Sequence, residues 1–255
     1  MISGDPTYDW IFTLALACTP FVALATRFVH APYGRFGTAG LGPALDPRLG
    51  WILMELPATL VFAWFAATPT TLDEPVRLLF VAIWTIHYAN RGVLFPLRLR
   101  VRVGAGFGWL VVVFGWLTTA THGYLNGAWI GGLGVHLTSD WLADPRFTVG
   151  IALYLTGFTV NVLADATLRD LRNERRGGYR IPHGGLYRWV SCPNYLGELL
   201  AWAGFTLATG SPGGVFIFAI SAANLVPRAI DTHRWYRERF PDYPPERRAL
   251  VPFLL

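Results

Sequence analysis

Apolar runs of about twenty residues recur along this chain, and they dictate its fold class. A helix needs about twenty residues to cross roughly 30 Å of hydrocarbon, where every backbone polar group must be satisfied within the segment. Seven runs approach or reach that length, over residues 10–29, 49–67, 76–97, 107–122, 147–170, 194–210 and 213–236. Gly and Pro punctuate the gaps, among them Pro69, Gly104, Gly131 to Gly134, Gly177 to Gly185 and Pro212 to Gly214. The expected fold is all-α, a polytopic membrane protein with seven transmembrane helices forming a single domain over residues 1–255. With only 15% charged residues, the chain falls well below the roughly 25% of a soluble domain.

The charges sort by side. Arg98, Arg100 and Arg102 follow the third run, Arg169 to Arg180 the fifth, and Arg234 to Arg248 the seventh. Odd-numbered helices that start on one side all end on the other. That other side therefore collects the arginines, while Asp5, Asp9, Asp73, Glu74, Asp140 and Asp144 stay at the starting side, with Arg77 and Arg146 at its edge. The positive-inside rule then places the amino terminus outside and the carboxyl terminus in the cytoplasm. All 21 basic residues are Arg; with a net charge of +5 carried at helix ends, they suit lipid headgroups better than nucleic acid. The first run is read as a retained helix, because acidic Asp5 and Asp9 precede it instead of the basic residues of a signal peptide.

Two cysteines, Cys18 and Cys192, make no disulfide framework and are read as packing thiols. His30, His122, His136 and His183 have no metal-ligand spacing. The stretch 104–108, Gly-Ala-Gly-Phe-Gly, follows no strand and is read as a lead into a helix, not as a nucleotide loop. No internal repeat is present to favour a transporter.

Polar residues inside the apolar runs carry the chemistry. Glu55 stands in Trp51-Ile-Leu-Met-Glu55-Leu-Pro57, about two helical turns from the nearest basic residue, Arg48. A charged side chain at a helix centre in a bilayer costs about 2.5–3.5 kcal/mol, so a retained one has a polar partner and often a use. Asn161, Asp165, Arg169 and Arg172 are spaced four, four and three apart on one helix face. Arg228, Thr232 and Tyr236 repeat the spacing in the seventh run, Asn194 and Glu198 in the sixth, and Tyr88 and Arg91 in the third. Facing lipid, these groups would be unsatisfied, so they are expected to converge on a polar pocket at the cytoplasmic half of the bundle. The rim of arginines suits an anionic, phosphate-bearing ligand.

At these residues the chain resembles the steroid 5-alpha-reductases (3-oxo-5-alpha-steroid 4-dehydrogenases) and is expected to be a bacterial homologue of them. The resemblance runs from Trp51 onward. It is carried by the Glu55 motif, His87-Tyr88 with Arg91, Gly123-Tyr-Leu-Asn126-Gly127, and Asn161 with Asp165. Further pieces are Tyr179-Arg180-Ile-Pro-His-Gly-Gly185-Leu, Asn194-Tyr-Leu-Gly-Glu198, and the ending from Asp242-Tyr-Pro to Phe253. The Asn194 motif alone is shared with a wider group that includes sterol C14 reductases and isoprenylcysteine methyltransferases.

The resemblance implies a seven-helix membrane fold and NADPH-dependent reduction of the Δ4 double bond of a 3-oxo-Δ4-steroid. Glu55 and Tyr88 match the pair that holds the substrate carbonyl. Arg102, Asn161, Asp165, Arg172, Tyr179, Arg180, Asn194, Glu198, Arg228 and Tyr236 match cofactor-pocket positions. Met54 stands where Gln is frequent and Thr232 where His is common. The expected partners are a lipophilic enone and membrane lipid, with no metal, no nucleic acid and no evident protein partner. A membrane methyltransferase using S-adenosylmethionine, or a sterol C14 reductase, is the alternative within the wider group. A small transporter or lipid-binding membrane protein is the non-enzymatic one.

Overall fold

A computed structural model describes residues 2–28, 43–101, 105–171 and 179–255, and 77% of the structure is helical. The long helices are α1 (Pro6–Phe28), α2 (Pro47–Ala66), α4 (Pro75–Tyr88), α6 (Trp109–Ala128), α7 (Pro145–Leu171), α8 (Pro193–Thr209) and α9 (Pro212–Arg239). The short α3 (Pro69–Asp73) precedes α4, and α4 continues through a π-helical turn, Ala89–Leu94, into α5 (Phe95–Leu97). Each of the seven apolar runs is thus a helical segment. Five of them, α1, α2, α4–α5, α7 and α9, are long and apolar enough to cross a membrane. The other two are those the runs 107–122 and 194–210 foreshadow. α8 has only 17 residues, about 26 Å at 1.5 Å per residue, and α6 is interrupted by polar and glycine positions.

Local sequence explains the helix ends. Asp46 caps α2, its carboxylate accepting from the Arg48 and Leu49 N–H groups at 2.9 and 3.2 Å, and Pro47 occupies the first turn, where its missing N–H is harmless. Ser211 caps α9 in the same way, followed by Pro212. Two residues of β1 (Ala44–Leu45) pair antiparallel with two of β2 (Phe107–Gly108) and tie the starts of α2 and α6 together. The glycine-rich stretch before α6 is therefore partly a β ladder.

Contacts give the helix directions. Buried Tyr8 at the start of α1 accepts a hydrogen bond from Gly213 N–H at the start of α9, so these two are parallel. α2 and α6 are also parallel, with Gly123 against the carbonyl of Ala58 at 3.2 Å and Gly127 against that of Phe62 at 2.7 Å, measured from where a Cβ would stand. α7 and α8 are antiparallel and meet through glycines seven residues apart on each. A Cβ on Gly157 would lie 2.6 Å from Gly197 O, and one on Gly204 would lie 2.6 Å from Gly150 O. Small residues that let backbones touch are the usual way helices associate where water gives no hydrophobic drive. Gly157→Ala is expected to push α7 off α8 and destabilise the fold by about 1–3 kcal/mol; an unchanged melting temperature in detergent would mean the contact is slack.

The main core is aromatic. Phe62 stacks on Trp84 at 4.4 Å, Trp84 packs against Trp202 and Phe205, and the Trp84 indole donates to Ala58 O at 3.1 Å. At the end of the bundle where α4 starts, Arg77 is 2% exposed, not at the polar edge that its position in the sequence implies. It donates to the carbonyls of Leu137 at 3.0 Å, Gly134 at 2.8 Å and Ile130. These carbonyls belong to the π-helical turn Trp129–Leu133 that ends α6 and to the loop after it. Beside them His136 faces Thr209 O at 3.0 Å, and burial holds its imidazole below the ordinary histidine range.

Candidate active site

At the other end of the aromatic core, four helices bring their polar residues together. The Asn161 amide on α7 donates to Glu198 Oε2 and to Asn194 O, both at 3.0 Å. Asn194 in turn donates to Asp165 Oδ1 at 3.0 Å. Arg91, in the π turn after α4, pairs with Asp165 at 3.7 Å and lies over the rings of Trp51 and Phe95. Glu198 is buried and accepts from the Trp202 indole at 3.0 Å. His87 Nε2 approaches it at 3.4 Å, an ion-pair distance without hydrogen-bond alignment. The helical spacings of the sequence thus converge as expected, on α4, α7 and α8.

Glu55 projects from α2 toward the same place. Its side chain is half-buried. Arg91, Glu198, His87 and Tyr88 lie within its electrostatic reach, and Gly92 comes close enough that a Cβ there would touch Glu55 Cβ at 3.4 Å. The π turn makes this approach: Phe95 N–H bonds back to Asn90 O, one residue further than in an α-helix. Pro96 has no N–H for Gly92 O, and widening the helix there relieves the clash that proline would otherwise cause.

Tyr88 is buried, and its hydroxyl lies 3.2 Å from Nδ1 and 3.4 Å from Nε2 of His122 on α6. His122 was dismissed in the sequence for want of metal-ligand spacing. The signal available was its place just before Gly123, the residue that seats α6 against α2. Arg91, which the sequence places in the Tyr88 stripe and in the family motif, joins the Glu55 region to Asp165.

Most of the remaining expected residues lie outside this network. Arg228 on α9 lies over the ring of Tyr195, the neighbour of Asn194. Tyr179 packs edge-on against Trp235 at 4.9 Å, and Arg180 is exposed. Tyr236 stacks on Tyr243 at 5.3 Å in a separate aromatic cluster with Ile181, one layer outside the amide and carboxylate network. Arg169 pairs with Asp170 and Thr232 is half-buried. Met54 faces Gly115 of α6. Arg102 and Arg172 lie outside the described residues. The chain ending folds back under this rim: Ser191 and Cys192 N–H bond to the carbonyls of Arg248 and Ala249 at 2.8 and 3.1 Å, and Arg247 donates to Pro182 O at 3.0 Å. Tyr187 donates to Ala164 O at 3.1 Å, and burial pushes its phenol above the usual range.

Chemically, this is a half-buried carboxyl and a buried phenol next to a network of amides and carboxylates, with the guanidinium groups of Arg91 and Arg228 beside it. Known proteins are similar to this chain along nearly its whole length. Residues 109–255 match the family described as 3-oxo-5-alpha-steroid 4-dehydrogenase. A steroid 5-alpha-reductase of Gossypium hirsutum is 36% identical over 251 residues, covering 96% of this chain and 97% of that protein. The 3-oxo-5-alpha-steroid 4-dehydrogenase 1 of Mus musculus is 37% identical over 243 residues, covering 94% and 93%, and that of Homo sapiens is 31% identical over 242, covering 94% and 92%. These relatives are plant and animal proteins and lend the expected bacterial origin no support. The chain belongs to the steroid 5-alpha-reductase family, whose members are oxidoreductases acting on CH–CH bonds.

Proposed function

We propose that this protein reduces the Δ4 double bond of a 3-oxo-Δ4-steroid to the 5-alpha-3-oxosteroid with NADPH, within one seven-helix membrane domain. The observation that carries the reading is Glu55. It is half-buried, meets the Gly92 position just beyond Tyr88 at 3.4 Å, has no hydrogen bond to its carboxyl among the described residues, and lies close enough to the Tyr88 phenol for the two to interact electrostatically. Adding hydride to the β-carbon of an enone builds negative charge on the distant carbonyl oxygen. A donor aimed at that oxygen in a water-poor site stabilises the charge. Tyr88 donates its hydroxyl proton in a hydrogen bond to the 3-oxo oxygen, and Glu55 orients that phenol or returns its proton. The α-carbon then takes up a proton to complete the saturated ketone.

The residues present suit NADPH. Guanidinium groups at the rim match phosphate oxygens, and the interior amides and carboxylates offer donors and acceptors for a carboxamide. Arg102, Arg172, Arg180 and Arg228 would hold the phosphates, with Tyr179 and Tyr236 beside them. Asn161, Asp165, Asn194 and Glu198 would orient the nicotinamide end. When bound, NADPH supplies the hydride. Arg172→Ala or Arg228→Ala is expected to raise the NADPH Kd about tenfold or more with little change in steroid KM; the reverse order would mean the phosphates lie elsewhere.

The alternating helix directions support a topology in which α6 and α8 also span. The amino terminus is then outside, and the ends of α1, α5, α7 and α9 lie with the arginines in the cytoplasm. Incubating the purified protein with NADPH and a 3-oxo-Δ4-steroid, while following loss of reduced-nicotinamide absorbance and formation of 5-alpha product, tests the function. Parallel incubation with S-adenosylmethionine tests the methyltransferase alternative, which needs neither Glu55 nor Tyr88. Consumption of S-adenosylmethionine without NADPH oxidation would overturn the proposal.

A further inference from the structure

We infer that His122 is a positioning residue for this reaction, holding the Tyr88 hydroxyl so that its proton points at the substrate oxygen. The inference rests on the reading above that Tyr88 is the carbonyl donor. A phenol has one proton to give and accepts through its oxygen lone pairs. A neutral imidazole has one nitrogen that donates and one that accepts. The Tyr88 oxygen lies nearly equidistant from both, at 3.2 and 3.4 Å. One oxygen at those distances stands in line with neither ring nitrogen, so a turn of the imidazole selects the pairing: the bare nitrogen accepts from the phenol when no carbonyl is near, and the N–H donates to the phenol oxygen when its proton turns to a substrate oxygen. Accepting a hydrogen bond strengthens the phenol as a donor, because chained hydrogen bonds polarise one another.

His122 is placed for this and held there. It is 4% exposed and packs against Trp84, with ring centres 5.8 Å apart. Its backbone carbonyl accepts from Asn126 Nδ2 at 2.9 Å, and Asn126 Oδ1 accepts from Ser211, the cap of α9, at 3.0 Å. The next residue, Gly123, fits against the carbonyls of Ala58 and Pro57, which fixes α6 relative to the helix that carries Glu55. Glu55 and His122 thus stand on two helices locked together, and His122 reaches Tyr88.

The test uses the full chain in detergent, with His122→Phe, His122→Gln, Tyr88→Phe and the Tyr88→Phe/His122→Phe double variant. His122→Phe is expected to lower kcat about 10–100-fold and leave the KM for NADPH unchanged, while His122→Gln, which keeps a donor and an acceptor, recovers to within about fivefold. In the Tyr88→Phe background, His122→Phe is expected to have no further effect, because the two act as a unit. A second readout needs no cofactor: His122→Phe is expected to lose the preference for a 3-oxo-steroid over its 3-deoxy analogue in equilibrium binding. Additive effects in the double variant, equal losses in the Phe and Gln variants, or an intact 3-oxo preference in His122→Phe would overturn the inference. If His122→Phe does not fold, the smaller His122→Leu serves in its place. A wild-type protein that shows neither NADPH-dependent reduction nor a 3-oxo preference overturns the proposed function itself, and this inference with it.

Discussion

Glu55→Gln and Tyr88→Phe are each expected to lower steroid reduction by about 10²–10³-fold while NADPH still binds. That is the usual loss when one donor to a developing oxyanion is removed from an enclosed site. Both changes preserve shape. Gln keeps the length of Glu55 but cannot hand over a carboxylic proton, and Phe keeps the ring of Tyr88, which sits between Trp84, Trp202 and His122. Folding and cofactor affinity should therefore be spared, and the loss should fall on kcat. Stopped-flow reduction with saturating NADPH, alongside a direct NADPH titration, separates the two. Retained turnover in both variants would remove the proposed electrophile.

Arg77→Met is expected to destabilise the protein by about 3–5 kcal/mol, since each buried acceptor left without a donor costs about 1–3 kcal/mol. Methionine fills the space of the stem but offers nothing to the carbonyls of Leu137 and Gly134, which lose their guanidinium donor. Ile130 O retains only the long 3.4 Å bond from Thr71. Gly131 O keeps its bond from Thr68 at 2.7 Å, so the turn should loosen without melting outright. This site lies at the opposite end of the bundle from Tyr88, so the protein that remains folded should keep its kcat. Thermal denaturation in detergent measures the first effect and initial rates the second. A loss below about 1 kcal/mol would show that water or the backbone replaces the guanidinium.

Much of this architecture was legible in the chain because membrane helices are written in long, uniform stretches. The seven runs reappear as seven helical segments, and the four-residue spacing of Asn161, Asp165, Asn194 and Glu198 correctly placed their side chains face to face. The run ending at 122 stopped six residues short of the end of α6. Gly123 and Gly127 lie beyond that run, and their missing side chains make room for the backbone of α2. The two π turns were not legible, because a one-residue shift of hydrogen-bond register leaves no periodic trace in the sequence; Pro96 marks the first only in hindsight. Arg77 looked like a charge at the membrane edge, and nothing local announces that three carbonyls from a segment more than fifty residues away will surround it. His122 failed for a different reason: a histidine was weighed only as a metal ligand, when its partner was a phenol on another helix.

The widened turn at Ala89–Leu94 also makes the enzyme sensitive to length in a way that composition hides. Removing one residue there would let the segment relax into ordinary α-helix, and spectroscopy would report a protein as helical as before. The helix downstream would keep its phase, because a π turn holds one residue more than an α turn, but the bulge that brings Gly92 against Glu55 and Arg91 toward Asp165 would be gone. Single-residue deletions in this stretch are therefore expected to be silent in helical content and severe in chemistry, whereas point substitutions on its outward face should pass unnoticed.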